Sequence, residues 1–119
     1  MTSPADQSSG RTFWIPERED ITIYGVLSAL ADPTRLAVVR ALADSTRGSE
    51  GQCVSQLFPE IGKQNLTHHM KVLREAGLVD YRYEGRNKFS RLRRELIDDL
   101  FPGLLDGLLN AIAESARQA

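Results

Sequence analysis

The chain has 119 residues, 41% hydrophobic and 26% charged, with a net charge of −1 at pH 7. That is enough for one domain around one core, and the lone cysteine excludes an internal disulfide. No apolar run approaches the ~20 residues that cross a bilayer, and residues 1–10 lack the charged-then-apolar pattern of a secretion signal, so a cytoplasmic location without a membrane partner is expected.

Residues 1–12 are rich in Ser, Pro and Gly and read as a flexible tail, with 13–117 as the folded domain. Phe13 and Trp14 suit a cover over the core or over a partner subunit. A first helix is expected over about residues 20–31, with Ile21, Tyr24, Leu27 and Leu30 three apart on one face. Asp32-Pro33 supplies an N-cap followed by a proline at the first helical position, where its missing N–H costs nothing. The second helix should run to about Ala43, with Leu36, Val39 and Leu42 inward, before a polar, glycine-containing loop over residues 44–51. Val54, Leu57 and Phe58 mark a short third helix, which Pro59 and Gly62 separate from the fourth.

That fourth helix, residues 63–76, is the most informative stretch. Leu66, Met70 and Leu73 make an apolar stripe at helical spacing, while Gln64, Thr67, His68, Lys71 and Arg74 gather donors, acceptors and positive charge on the other side. Such a polar face suits a DNA major groove, where amides and imidazoles reach base edges and cations meet phosphates. Gly77 ends the helix. Two strands follow, residues 78–83 and 88–92, around a turn at Glu84-Gly85-Arg86-Asn87. A last helix over about residues 94–117 should bend or restart at Pro102-Gly103. The expected fold is mainly α with a small β-hairpin: a winged helix-turn-helix of about five helices and a two-stranded wing.

The charge is segregated. Residues 61–94 hold nine Lys and Arg against three Asp and Glu, a balance of +6, while the remainder holds six against thirteen, −7. A basic footprint on an acidic body can attract DNA without making the whole protein adhesive. Taken alone, it is equally a solvated surface.

Three motifs carry a family resemblance. Leu30-Ala31-Asp32-Pro33-Thr34-Arg35-Leu36, the stretch from Thr67-His68-His69-Met70 through Gly77-Leu78-Val79, and Glu84-Gly85-Arg86 resemble, in order, a signature, the recognition helix and the wing tip of the ArsR-like regulators. The resemblance spans about residues 24–96. It implies a dimeric winged-helix repressor, paired through its first and last helices and binding a two-fold-related operator on double-stranded DNA.

The expected DNA-binding residues are Lys63, Gln64, Asn65, Thr67, His68, Lys71, Arg74, Arg86 and Lys88. Gln64 and Asn65 stand where helix-turn-helix proteins read bases, although capping competes for Asn65. Lys63, Lys71 and Arg74 read as phosphate clamps, and Arg86 and Lys88 as wing contacts; Arg82 and Arg91 flank the strands. His68 and His69 point about 100° apart, which leaves His68 on the polar face and His69 as a packed, hydrogen-bonded core residue. Ile21, Tyr24, Leu100, Leu104, Leu105, Leu108 and Ile112 are the expected dimer contacts. The last helix has more leucines than one core stripe requires; its alternative is to fold back over its own domain.

No cofactor is expected. Metal-sensing members of the resembled family often carry Cys-x-Cys on the third helix, where this chain has Cys53-Val54-Ser55, and a serine hydroxyl is a poor replacement for a thiolate on a soft ion. Asp98, Asp99 and Asp106 remain as weak candidate ligands on a helix without histidine. Cys53 reads as a small, partly buried hydrophobe, with a redox role as its alternative. The leading function is therefore sequence-specific transcriptional regulation. The alternatives are a winged-helix protein-interaction module, a DNA-binding subunit served by a separate sensor protein, and a metal-responsive repressor with a non-standard site. No nucleophile–base pairing or phosphate loop suggests an enzyme.

Overall fold

The computed structural model describes residues 14–44 and 51–118, the side chains of 117 and 118 excepted. The expected tail, Phe13 and residues 45–50 of the polar loop lie outside the described residues. Helices α1 (Ile23–Leu30), α2 (Pro33–Ala43), α3 (Val54–Leu57) and α4 (Lys63–Glu75) precede an antiparallel hairpin of β1 (Val79–Glu84) and β2 (Asn87–Leu92). Two further helices, α5 (Arg94–Leu100) and α6 (Leu104–Gln118), complete the fold. The last helix thus restarts at Pro102-Gly103, which divides it in two. No helix of the described residues is long and apolar enough to cross a membrane.

The first helix starts later than its periodicity suggests, because Thr22 caps it: its Oγ1 accepts a hydrogen bond from the Gly25 N–H at 3.0 Å. Ile21 is therefore extended, after a single 3-10 turn at Arg18–Asp20. With the start moved, Val26, Ala29 and Leu30 form the buried i, i+3, i+4 face, and Tyr24 and Leu27 turn outward, 81% and 46% exposed. The single face expected of Ile21, Tyr24, Leu27 and Leu30 is thus divided, with Ile21 and Leu30 buried and Tyr24 and Leu27 exposed. In α2 the inward residues are Val38, Val39 and Leu42, with Leu36 half-buried at the margin.

Asp32 caps α2 as its sequence implies. Its Oδ2 accepts from Thr34 N–H at 2.9 Å and Arg35 N–H at 3.0 Å. The bond from the Arg35 backbone, above all, holds the carboxyl below its ordinary value near 3.8. A depressed carboxylate stabilises the folded state above its unfolded pKa and loses that contribution as pH falls through the folded value. Asp32→Ala should lower the midpoint of urea denaturation at neutral pH. The gap between variant and wild type should then close in strong acid, where the wild-type carboxyl is protonated too. A gap that persists there would mean that the charge is not what caps the helix.

The core joins α1 and α2 to Leu66, Met70 and Leu73 of α4, then to Leu78, Val79, Leu92, Ile97 and Leu105. The hairpin pairs Val79 with Leu92 and Glu84 with Asn87, leaving a two-residue turn. Gly85 at the turn has φ +63 and Arg86 has negative φ, the pattern of a tight primed turn that needs glycine first. A bridge not legible in the sequence ties the segment before α3 to the wing: Gln52 and Ser90 exchange backbone hydrogen bonds of 2.8 and 2.7 Å.

Candidate nucleic-acid interface

The apolar stripe of α4 sets the orientation of everything else on that helix. Leu66, Met70 and Leu73 are buried, so Lys63, Gln64, Asn65, Thr67, His68 and Lys71 are left exposed. At about 100° per residue, Gln64, Thr67, His68 and Lys71 share one arc about 100° wide. Gly62 occupies the N-cap position without any side-chain capping bond, so the exposed Asn65 is not a cap. Arg86 is exposed at the wing tip.

Two expected phosphate contacts are placed elsewhere. Arg74 is half-buried; its Nη1 donates to the Trp14 carbonyl at 2.6 Å, and its guanidinium lies 6.0 Å from the centre of the Tyr81 ring. Lys88 is half-buried too, with Nζ 4.4 Å from the same ring centre. The strand register explains this: Tyr83 opposes Lys88 and Tyr81 opposes Ser90, so these side chains share the face that continues into the core at Val79 and Leu92. Burial pushes the Tyr81 phenol up to about 12 and lowers the Lys88 ammonium. Arg74, Tyr81 and Lys88 together fasten the root of the wing to the end of α4.

The opposite face of the wing is a ladder of cross-strand pairs. Arg91 grips Asp80 with two hydrogen bonds, 3.1 and 2.7 Å, which raises the Arg91 pKa, and Arg82 lies 4.8 Å above the Phe89 ring and bonds Glu84 at 2.6 Å. Arg82 and Arg91 are thus strand flanks with partners inside the hairpin.

His69 is half-buried beside the stripe, and its Nδ1 lies 3.1 Å from Arg35 Nη1. This matches the packed, hydrogen-bonded role expected for it. The partner was not legible, since Arg35 stands 34 positions earlier in the chain. His68 is exposed, its ring 5.6 Å from that of His69.

The residues considered for a metal do not form a site. Asp98 bonds Arg94 at 3.2 Å, Asp99 pairs with Arg18, and Asp106 pairs with Arg94. Cys53 Sγ contacts Ser55 Oγ at 3.4 Å, which puts one thiol where a soft ion needs several. Among the described residues no three potential ligands converge.

Of the expected dimer contacts, Ile21 and Leu105 are buried in the chain's own core, against Gly77 for Ile21, and present no surface to a partner. Leu100, Leu104 and Leu108 pack against the margin of that core and are half-buried. Leu109 and Ile112 are half-buried beyond it, and Tyr24 and Leu27 stand out on α1.

A family model described as a helix-turn-helix domain matches residues 30–82, from the end of α1 into the wing. An uncharacterized HTH-type transcriptional regulator of Bacillus subtilis, YceK, is 36% identical over 89 residues, covering 70% of this chain and 82% of its own. A transcriptional repressor SmtB homolog of Synechocystis is 34% identical over 83 residues, covering 68% of this chain and 59% of its own. An ArsR-like transcriptional regulator from Rhodococcus superposes with a TM-score of 0.53 at 25% identity, over 80% of this chain and 83% of that one. The chain belongs to the ArsR/SmtB family of helix-turn-helix transcriptional regulators. As a member of the ArsR/SmtB family it is a DNA-binding regulator of transcription rather than an enzyme. Its winged helix-turn-helix, with the apolar stripe of α4 inward, is the arrangement anticipated from the sequence.

Proposed function

We propose that residues 13–117 act as one unit, a cytoplasmic repressor that dimerises and reads a two-fold-related operator. The observation that carries this reading is the division of α4, whose buried stripe leaves Gln64, Thr67, His68 and Lys71 together on an exposed arc. Gln64, Asn65, Thr67 and His68 meet base edges in the major groove, and Lys63 and Lys71 take the flanking phosphates. Arg86 reaches the backbone or minor groove from the wing tip, whereas Arg74 and Lys88 contribute by fixing the wing.

Dimerisation supplies the symmetry. The exposed Tyr24 and Leu27 of α1, with Leu109 and Ile112 of α6, offer an apolar surface that a second copy would cover. Repression follows from occupancy, because a dimer seated on a promoter excludes polymerase.

Light scattering combined with duplex binding tests the dimer. The wild type should run at twice its chain mass. Tyr24→Glu with Leu27→Glu should give a folded monomer whose DNA affinity falls at least tenfold, because only one recognition helix then engages. A wild type that is monomeric and binds DNA undiminished would remove dimerisation from the account.

A further inference from the structure

The α1–α2 junction and the middle of α4 are joined by one side chain. Arg35 Nε donates to the Ala29 carbonyl at 2.6 Å, near the end of α1, and Nη1 lies 3.1 Å from His69 Nδ1 on α4. The backbone N–H of the same residue is held by Asp32 Oδ2 at 3.0 Å, so both ends of Arg35 are fixed. A guanidinium has only donors, so His69 Nδ1 accepts, and the ring proton sits on Nε2. His69 lies one position from His68 and two from Thr67 and Lys71, on the exposed arc.

We propose that Arg35 is a positioning residue for sequence reading: through His69 it sets the rotation of α4 about its axis, and hence which side chains face the bases. This rests on the reading of α4 as the recognition helix. The apolar stripe of Leu66, Met70 and Leu73, with Val72 and Ala76 packed beside it, holds α4 against the core through contacts that have no preferred direction. A directional bond from Arg35 to the flank of that stripe supplies what packing lacks. An error in rotation moves the tips of Gln64 and His68 off their base edges while leaving Lys63 and Lys71 within reach of phosphates. Selectivity therefore falls before affinity does.

The same geometry makes the bond dependent on the ring's charge. A protonated imidazole cannot accept from Arg35, and the two become like charges. Asp32 Oδ2, 3.8 Å from Nδ1, is then the attractive partner. The groups facing the ring are Arg35 and Asp32 from α2 and His68 on its own helix, while α1 carries no charged side chain.

The test uses the full chain and duplexes that the wild type enriches from a random-sequence library, with scrambled copies of the same duplexes as reference. Arg35→Ala should lower the ratio of selected to scrambled affinity about tenfold, with scrambled affinity changed less than about threefold. His69→Leu, which keeps the packing and removes the acceptor, should do the same. His69→Asn puts an amide oxygen near the position of Nδ1 and should restore the ratio to within about twofold. In the free protein, nitrogen NMR should show His69 Nδ1 unprotonated at neutral pH and a mixture of tautomers in Arg35→Ala. Equal losses on selected and scrambled duplexes, or a protonated Nδ1, would overturn the proposal while leaving α4 as the reading helix. A wild type that enriches nothing would overturn both.

Discussion

Gly77→Ala is expected to destabilise the protein by about 2–5 kcal/mol. Two separate costs meet at this position. Gly77 has φ +91, where a non-glycine residue costs about 1–2 kcal/mol. An added Cβ would also stand 2.6 Å from Ile21 Cδ1 and 2.7 Å from its Cγ1. Ile21 belongs to the core, so it moves only by disturbing its neighbours, at roughly 1–3 kcal/mol. Against the roughly 5–15 kcal/mol that holds a typical domain together, the sum should lower the thermal midpoint by about 10 °C. A double-mutant cycle separates the terms: in an Ile21→Ala background, Gly77→Ala should cost only the backbone share. A full cost in both backgrounds would locate the whole effect in the backbone and remove the contact between the end of α4 and the segment before α1.

Reversing the charge of two exposed lysines should act on the opposite property. Lys63→Glu with Lys71→Glu is expected to lower affinity for any duplex by more than about a thousandfold at ~0.1 M salt, with folding intact. Each phosphate contact contributes a slope of about −0.9 to the dependence of log affinity on log salt. Losing two contacts in each subunit of the dimer, four in all, thus removes about 3.6 powers of ten at that concentration, and the new carboxylates repel the backbone further. Anisotropy titrations over a salt series should show the slope reduced by about 3.6, two contacts from each subunit. Both residues are exposed on α4, so circular dichroism and the thermal midpoint should stay near wild type. An unchanged slope would mean that neither lysine meets a phosphate, and α4 would need another orientation on DNA.

Much of this was legible from spacing alone. The stripe of Leu66, Met70 and Leu73, the glycine after α4, the Asp32-Pro33 start of α2 and the restart at Pro102-Gly103 are local signals, and the structure follows each of them. The first helix was misplaced where two local signals disagreed: the threefold spacing of Ile21, Tyr24, Leu27 and Leu30 against the capping hydroxyl of Thr22. The cap prevailed because it satisfies an N–H that water alone would otherwise serve, and Ile21 gains the pocket over Gly77. The partners of Arg74 and Lys88 within the fold are not legible in the sequence for a different reason. A long cation in a basic segment looks like a surface charge, and only the hairpin register brings the Tyr81 ring beside both. The same limit hid the Arg35–His69 bond and the Gln52–Ser90 bridge, since each joins residues more than 30 positions apart without any pattern that links them.

The charge segregation read from the sequence now has a finer meaning. Several of the cations in the basic segment are engaged within the protein: Arg91 with Asp80, Arg82 with Glu84, Arg94 with Asp98 and Asp106, and Arg74 with Trp14. The wing is therefore a braced structure more than a free basic arm, and Arg86 at its tip is the cation placed to reach outward.

The central claim is that α4 reads sequence as one half of a symmetric pair. The most direct measurement is enrichment of duplexes from a random library by the full chain, followed by hydroxyl-radical footprinting of the winner. The account predicts an inverted repeat, with two protected patches centred about one helical turn, ~34 Å, apart or a multiple of it. It also predicts that Gln64→Ala broadens the enriched sequence at the same position in each half. Enrichment of a single unsymmetrical site, or a consensus indifferent to Gln64, would contradict it.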